Sequence, residues 1–176
     1  DRMTIYYVDG VKRELVSRYK SGVDRIAEIR VPISPDSIAG YAAYNQTFVN
    51  IEDVYDQKEL ESIDPDLRFD SNWDKKSGYR TRQVLVAPVI YKTLLLGVVQ
   101  LINRKDDRKF TEHDVEYVKE LAEVLGIALF NQKRLAKNKS QGKFGYLQEN
   151  HIISVNELNA ATTKSRLESI HIEKIL

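Results

Sequence analysis

Few residues of this chain belong to types that do covalent or acid–base chemistry. Cysteine is absent, which removes thiolate nucleophiles, disulfides, zinc–cysteine sites and thioether-linked chromophores. The histidines, His113, His151 and His171, are scattered without metal-ligand spacing, so no metal site is expected. Asp64 with Asp66, or Asp70 with Asp74, has the spacing of an acid–base couple. Both pairs sit in a polar, loop-like segment, where solvated surface charge is the plainer reading. No P-loop, glycine-rich dinucleotide fingerprint, nucleophile elbow or zincin helix occurs. The expectation is that this chain is not an enzyme and has no catalytic residue. One polar residue stands out for another reason. Gln100 interrupts the apolar run Leu94–Asn103, and a buried amide without a partner costs roughly 1–3 kcal/mol. It either faces a polar cavity or is satisfied by a neighbour.

The elements around Gln100 are legible. Gln83–Tyr91 and Leu94–Asn103 are near-continuous Val, Leu and Ile runs, the pattern of central strands covered on both faces. Their connection is too short for a crossover, so they are antiparallel neighbours. Met3–Asp9 and Lys12–Lys20, the latter alternating around Leu15, Ser17 and Tyr19, form a second antiparallel pair. Ile26–Ile33 alternates as a half-buried strand. Ser34 and Pro35 read as cap and first residue of a short helix through Tyr44, in which Gly40 permits a close backbone approach. Phe48–Ile51 is a short strand, Glu52–Phe69 a broken helix and loop, and Asp70–Ser77 a helical turn ending at Gly78. Thr111 caps a long helix with Asp114 at its third position and Phe110 stapled to Val115. That helix runs from Glu112 to about Ala136 on an apolar stripe of Val115, Val118, Ala122, Leu125 and Leu129. At roughly 37 Å it outreaches a small sheet, so its end should project toward a second copy or another domain. Gly142–Gly145 should break it, and Ser154 with Glu157 forms a capping box for a last helix.

The chain has 176 residues, 42% of them hydrophobic, with a net charge of +1. That fits one domain with an appendage and points to neither nucleic acid nor an anionic membrane. The basic run from Lys133 through Arg134, Lys137 and Lys139 to Lys143 lacks the aromatic interleaving of a stacking surface and reads as a solvated linker. No run reaches transmembrane length and no signal peptide is evident, so membrane insertion is not expected and the cytoplasm is the default compartment. The strand-like start and the uncapped end at Leu176 read as a piece of a longer protein.

The order of elements, together with Glu28–Ile33, Ser37–Tyr41, Val49–Asp53, Ser77–Arg82, Leu96–Arg104 and Phe110–Asp114, resembles a GAF domain over residues 1–136. The resemblance implies an α+β fold. A central antiparallel sheet of five to six strands would carry the long helix on one face and short helices with a ligand pocket on the other, plus a short helical tail. The domain plan is then a sensory domain over 1–136, a linker over 137–150, and the helical start of a second domain over 151–176. The cyclic-nucleotide-binding branch has an Asn-Lys…Phe-x-x-x-Asp signature, which here is Asn103-Arg104…Phe110-x-x-x-Asp114. The Arg104–Asp114 pair is expected to brace the pocket without touching ligand. The same branch places ligand contacts at positions matching Thr4, Tyr19, Lys20, Ile38, Ala39, Asp70, Asp74, Ser77, Thr81 and Gln100. Lys20 stands where guanine-selective members carry a carboxylate, Asp70 where an aromatic is found and Gln100 where a carboxylate is found. The resemblance implies a cyclic nucleotide or other small ligand, no fixed cofactor, and a homodimer through the 112–136 helix. The tail from Phe144 to Leu176 also resembles the opening of the N-terminal domain of type II secretion and type IV pilus assembly ATPases, with Arg166-Leu167-Glu168 in place of a dinucleotide-binding turn. The expected function is a regulatory small-molecule sensor of a larger bacterial protein such as a secretion or pilus assembly ATPase. The alternative is a structural dimerisation module without a ligand.

Overall fold

The computed structural model describes residues 1–22, 28–149 and 152–175. Six antiparallel strands form one sheet in the order β3-β2-β1-β6-β5-β4. They are β1 (Arg2–Asp9), β2 (Glu14–Ser21), β3 (Arg30–Pro32), β4 (Val49–Ile51), β5 (Val84–Tyr91) and β6 (Leu94–Ile102). The two apolar runs are the adjacent strands β5 and β6, so the chain's most hydrophobic segments lie inside the sheet. Pro88 is accommodated in β5 because β4 pairs only with Val84, Leu85 and Val86. Beyond Val86, β5 needs no donor on that side. Of the expected strand over 26–33, only Arg30–Pro32 is strand, and Ile26 and Ala27 lie outside the described residues.

The strand period separates two faces. Val84, Val86, Val98 and Tyr6 join Ile38, Ala39, Ala42, Ala43 and Leu60 in the main core. Their helices are α1 (Ile38–Asn45) and α2 (Gln57–Ile63). On the other face Leu85, Ala87, Val89 and Val99 are buried, as are Val118 and Ala122 of α4 (Glu112–Glu149). Gly126 explains how closely α4 approaches: a Cβ there would stand 2.6 Å from the Ile90 carbonyl oxygen. Gly40 plays the same role in α1, where a Cβ would meet the Pro32 carbonyl at 2.5 Å.

Two local expectations are corrected. Helix α1 is capped by Ser37, whose Oγ accepts from the Gly40 N–H at 3.2 Å. Ser34 is not the cap, because its hydroxyl is engaged by Asp36 within the preceding turn. Helix α4 does not stop near Ala136 but continues through residues 142 and 145 to Glu149, so residues 137–149 are helix where a linker was expected. A helical glycine costs only about 1 kcal/mol, and the Lys and Gln residues around these glycines are good helix formers. The predicted start of α4 holds: Asp114 Oδ2 accepts from both the N–H and the hydroxyl of Thr111 at 2.7 Å.

The chain divides into two compact units, one of residues 1–9 and 13–128, the other of 10–12 and 129–176. In the second, Leu129, Phe144, Leu158 and Ala161 are buried. Helix α5 (Val155–Glu168) opens with the expected Ser154–Glu157 capping box. Among the described residues no helix is long and apolar enough to cross a membrane.

Candidate functional site

A cavity of about 360 Å³ opens on the α1 face of the sheet, within the usual range for small-molecule sites. Its sheet side is built by strand registration. Thr4 pairs with Lys20 across β1–β2 and with Gln100 across β1–β6. These three side chains therefore form one row over adjacent strands, spaced by about 4.8 Å per strand. Arg2 and Tyr6 extend the β1 column on the same face. Burial pushes the Tyr6 phenol up to about 12, an effect its hydrogen bond with Thr4 only partly offsets. Opposite the strands lie Ser37, Ile38 and Ala39 at the start of α1, and Asp70, Trp73, Asp74 and Ser77 around α3 (Asn72–Ser77).

Nine of the ten candidate positions line this cavity: Thr4, Lys20, Ile38, Ala39, Asp70, Asp74, Ser77, Thr81 and Gln100. Gln100 thus lines the cavity, whose surface is mostly apolar. Tyr19 is the exception. It is 52% exposed and does not line the cavity. The cause is a β-bulge. Ser17 pairs with Tyr6 but Tyr19 pairs with Ile5, so Arg18 is an extra residue and the alternation reverses. Leu15 and Ser17 face one side as expected, then Lys20 takes that side in place of Tyr19. Arg2, Tyr6, Arg68, Phe69 and Trp73 also line the cavity and were not anticipated. Arg2 and Tyr6 were findable, since they share the period of Thr4 along β1.

The lining residues differ in what their polar atoms have left to offer. Asp74 is already engaged. It accepts from the Thr81 N–H and hydroxyl, both at 2.7 Å, and from the Tyr55 hydroxyl at 2.9 Å. It clasps α3 to the strand-entry segment, and the Thr81 hydroxyl, having spent its proton there, is left as an acceptor. Among the described residues the Arg2 Nε is buried without an acceptor, a deficit of about 1–3 kcal/mol. Its guanidinium lies 3.4 Å from the centroid of the Tyr79 ring.

Where β6 ends beside the start of β5, the predicted signature forms a brace. Asn103 adopts φ +53°, a region asparagine tolerates. Its Oδ1 accepts from the N–H groups of Arg82 and Gln83 at 2.7 and 3.2 Å. Its Nδ2 donates to the Tyr79 hydroxyl at 2.9 Å and the Arg80 carbonyl at 2.8 Å. Arg104 Nε reaches Asp114 Oδ2 at 3.1 Å and Arg104 Nη1 reaches Asp106 at 2.8 Å. Phe110 is buried beside them, and its carbonyl accepts from Asn50 at 2.9 Å. Burial alone would raise the Asp114 carboxyl. The two Thr111 hydrogen bonds and the charges of Arg104 and His113 outweigh it and hold the group below its ordinary value. None of Asn103, Arg104, Phe110 or Asp114 lines the cavity. Glu59 adds an unanticipated brace, accepting from the N–H groups of Glu52 and Asp53 and from Lys109.

The GAF domain family model matches residues 1–129. The chain is 28% identical over 184 residues to the probable 3′,5′-cyclic phosphodiesterase pde-5 of Caenorhabditis elegans, an alignment covering 98% of this chain and 24% of that protein. It is 33% identical over 109 residues to the cGMP-specific 3′,5′-cyclic phosphodiesterase of Drosophila virilis, covering 61% of this chain and 11% of that one. The chain thus spans a quarter or less of these relatives' lengths. Among solved structures, it resembles the GAF domain of an Acinetobacter phosphoenolpyruvate-protein phosphotransferase with a TM-score of 0.60 at 14% identity, covering 78% of this chain and 75% of that one. It resembles the second GAF domain of DevS from Mycobacterium smegmatis with a TM-score of 0.57 at 15% identity, covering 78% and 85%. The sheet order, the cavity and the family match agree: the chain belongs to the GAF family, the regulatory sensor modules of signalling proteins, with residues 1–129 as its GAF domain.

Proposed function

We propose that this GAF domain binds a cyclic nucleotide in its cavity and transmits the bound state along α4 to an effector in a longer protein. The observation that carries the reading is the cavity itself, which gathers polar side chains from three adjacent strands with the opening of α1. The first N–H groups of α1 have no partner within the helix. With Ser37 Oγ given to Gly40, those of Ile38 and Ala39 remain for a phosphate, at the positive end of the helix. The chain is read as binding its ligand without converting it, and as working in the cytoplasm, where such ligands are made. The route to α4 runs from Asp74 through Thr81 to the backbone of residues 82–83, then Asn103, Arg104 and Asp114. An effector of the phosphodiesterase kind is favoured over a secretion or pilus ATPase, because the nematode alignment takes in nearly the whole chain, tail included.

Calorimetric titration with 3′,5′-cyclic nucleotides and their 5′-monophosphates tests the reading. Saturable binding of a cyclic nucleotide, with a stabilisation of about 2.7 kcal/mol at a hundredfold excess over Kd, supports it. No heat and no thermal shift with any of them overturns it.

Homodimerisation rests on a separate observation. Tyr117, Leu121 and Val124 are exposed on α4 at 67%, 37% and 65%, spaced by four and three residues as in a coiled-coil seam. A second copy would cover this stripe. Light scattering of the chain and of Leu121→Glu/Val124→Glu tests it: a dimer that becomes monomeric supports it, and a monomer at high concentration refutes it.

A further inference from the structure

The charged side chains that line the cavity are engaged within the protein. Arg30 pairs with Glu28 at 2.8 Å and with Glu14 at 3.1 Å. Arg68 Nη1 donates to the carbonyls of Pro65 and Leu67 at 2.7 and 2.8 Å. Lys20 is not free, and the Arg2 guanidinium lies on the Tyr79 ring with its Nε buried. Asp70 accepts from the Asn72 N–H at 3.0 Å, and Asp74 is committed to Thr81 and Tyr55. The surface that remains is mostly apolar. Such a surface favours the flat face of a ligand over a charged edge.

Three aromatic side chains line the cavity, Tyr6, Phe69 and Trp73. Tyr6 is buried in the main core, and Phe69 packs edge-on against Tyr55 with the ring centroids 5.2 Å apart. Trp73 differs. It is 42% exposed and sits on α3, none of whose residues is buried, so a large ring still has area to lose from water. Lys76, which does not line the cavity, lies over one face of the indole, 5.7 Å from its centroid. The other face is left for a ligand. Asp74, the next residue, clasps α3 to Thr81 and Tyr55 and so fixes where the indole stands.

We propose that Trp73 is the specificity-determining residue of the cavity: it stacks on the planar ring of the ligand and selects by ring size, a bicyclic ring over a monocyclic one. The inference rests on the ligand-binding reading above and adds the group that recognises the ring. Tyr19, carried out of the cavity by the β-bulge at Arg18, cannot stack from the sheet. A ring in the cavity therefore meets its aromatic partner on the α3 side. The gain from stacking grows with the area overlapped, and a purine covers more of an indole than a pyrimidine does.

Titration of the chain and of Trp73 variants with the 3′,5′-cyclic monophosphates of adenine, guanine, cytosine and uracil tests this. Trp73 is the only tryptophan, so its fluorescence reads the stack directly in the wild-type chain, and calorimetry gives the affinities of every form. The expected result is a changed indole signal at saturation, with the better purine bound about tenfold tighter than either pyrimidine. Trp73→Leu, apolar but unable to stack, should lose about tenfold in affinity for that purine and bring the purine–pyrimidine ratio toward one. Trp73→Phe should keep most of both. Should either variant unfold early, the upfield shift of the bound purine's ring protons in the wild-type chain decides, and its absence counts against the stack. Equal affinities for purines and pyrimidines, an indole signal unchanged at saturation, or wild-type affinity in Trp73→Leu overturns the stack and leaves the sensor reading intact. Failure of all four to bind the wild-type chain overturns both.

Discussion

The brace at the ends of β5 and β6 and the cavity row across β2, β1 and β6 are built from similar residue types on one sheet, yet they use their polar atoms differently. In the brace, Asn103 has both acceptor and donor ends engaged, and Arg104 and Asp114 each have named partners. At the cavity, Arg2 Nε is buried without an acceptor. Asp74 marks the border, since it lines the cavity but is used up by the protein. A lining position alone therefore does not make a ligand contact. What remains for a ligand is the hydrogen-bonding capacity that the fold has not consumed. The brace is not complete in this respect, for Asn50 Oδ1 and Gln83 Oε1 are buried without donors, but there the remainder is acceptors and it lies outside the cavity lining.

If this contrast is right, damage to the brace is read first in stability and damage to the cavity first in binding. The largest stability loss is expected for Asn103→Ala, which strips the acceptor from two backbone N–H groups and should cost about 2–4 kcal/mol. Asn103→Gly, which suits the positive φ but also lacks the amide, should recover only a small part of that by denaturant unfolding. Next come the two close glycines. Gly126→Ala sets a Cβ 2.6 Å from a backbone carbonyl and should destabilise by about 1–3 kcal/mol without changing ligand affinity. Gly40→Ala meets a similar clash at the start of α1 and should lower stability and affinity together. Equal effects of the two on binding would dissolve the distinction between the faces.

Arg104→Ala is expected to cost about 1 kcal/mol, because the pair is partly solvated, and Arg104→Lys less. Identical thermal unfolding of the two variants would remove the mechanical role of the pair. The smallest effect is that of pH. Asp114 has a folded-state value below its unfolded one. Its stabilisation is therefore present above the unfolded carboxylate range, near pH 4, and is lost as pH falls through the lower folded value. Asp114→Asn should flatten the acid limb of the stability curve below about pH 4, measured by chemical denaturation against pH.

Much of this arrangement was legible in the residues. The apolar runs of β5 and β6, the Thr111–Asp114 start of α4 and the Ser154–Glu157 box depend on local chemistry, and local chemistry is written in order along the chain. The misses are those that need tertiary information. Nothing in Leu15-Val16-Ser17-Arg18-Tyr19-Lys20 announces the bulge at Arg18, and that one residue exchanges Tyr19 for Lys20 at the cavity. Ser34 and Ser37 both look like caps, and the choice is made by a turn that engages Ser34 with Asp36. Gly142 and Gly145 look like breaks in α4, yet they fall within a helix that is already long when it reaches them. Propagation through a glycine is cheap once the helix is nucleated, and Gln141 and Lys143 beside Gly142 are good helix formers.

The most direct test of the account is a nitrogen–proton correlation titration of the chain with a 3′,5′-cyclic nucleotide, read residue by residue. The account predicts saturable shifts at Thr4, Lys20, Ile38, Ala39 and Gln100 and at the Trp73 indole, with smaller shifts carried through residues 82–83 and Asn103 into the first turn of α4, and none at Tyr19. Shifts confined to residues outside the cavity lining, or a spectrum that does not change at saturating ligand, would contradict it.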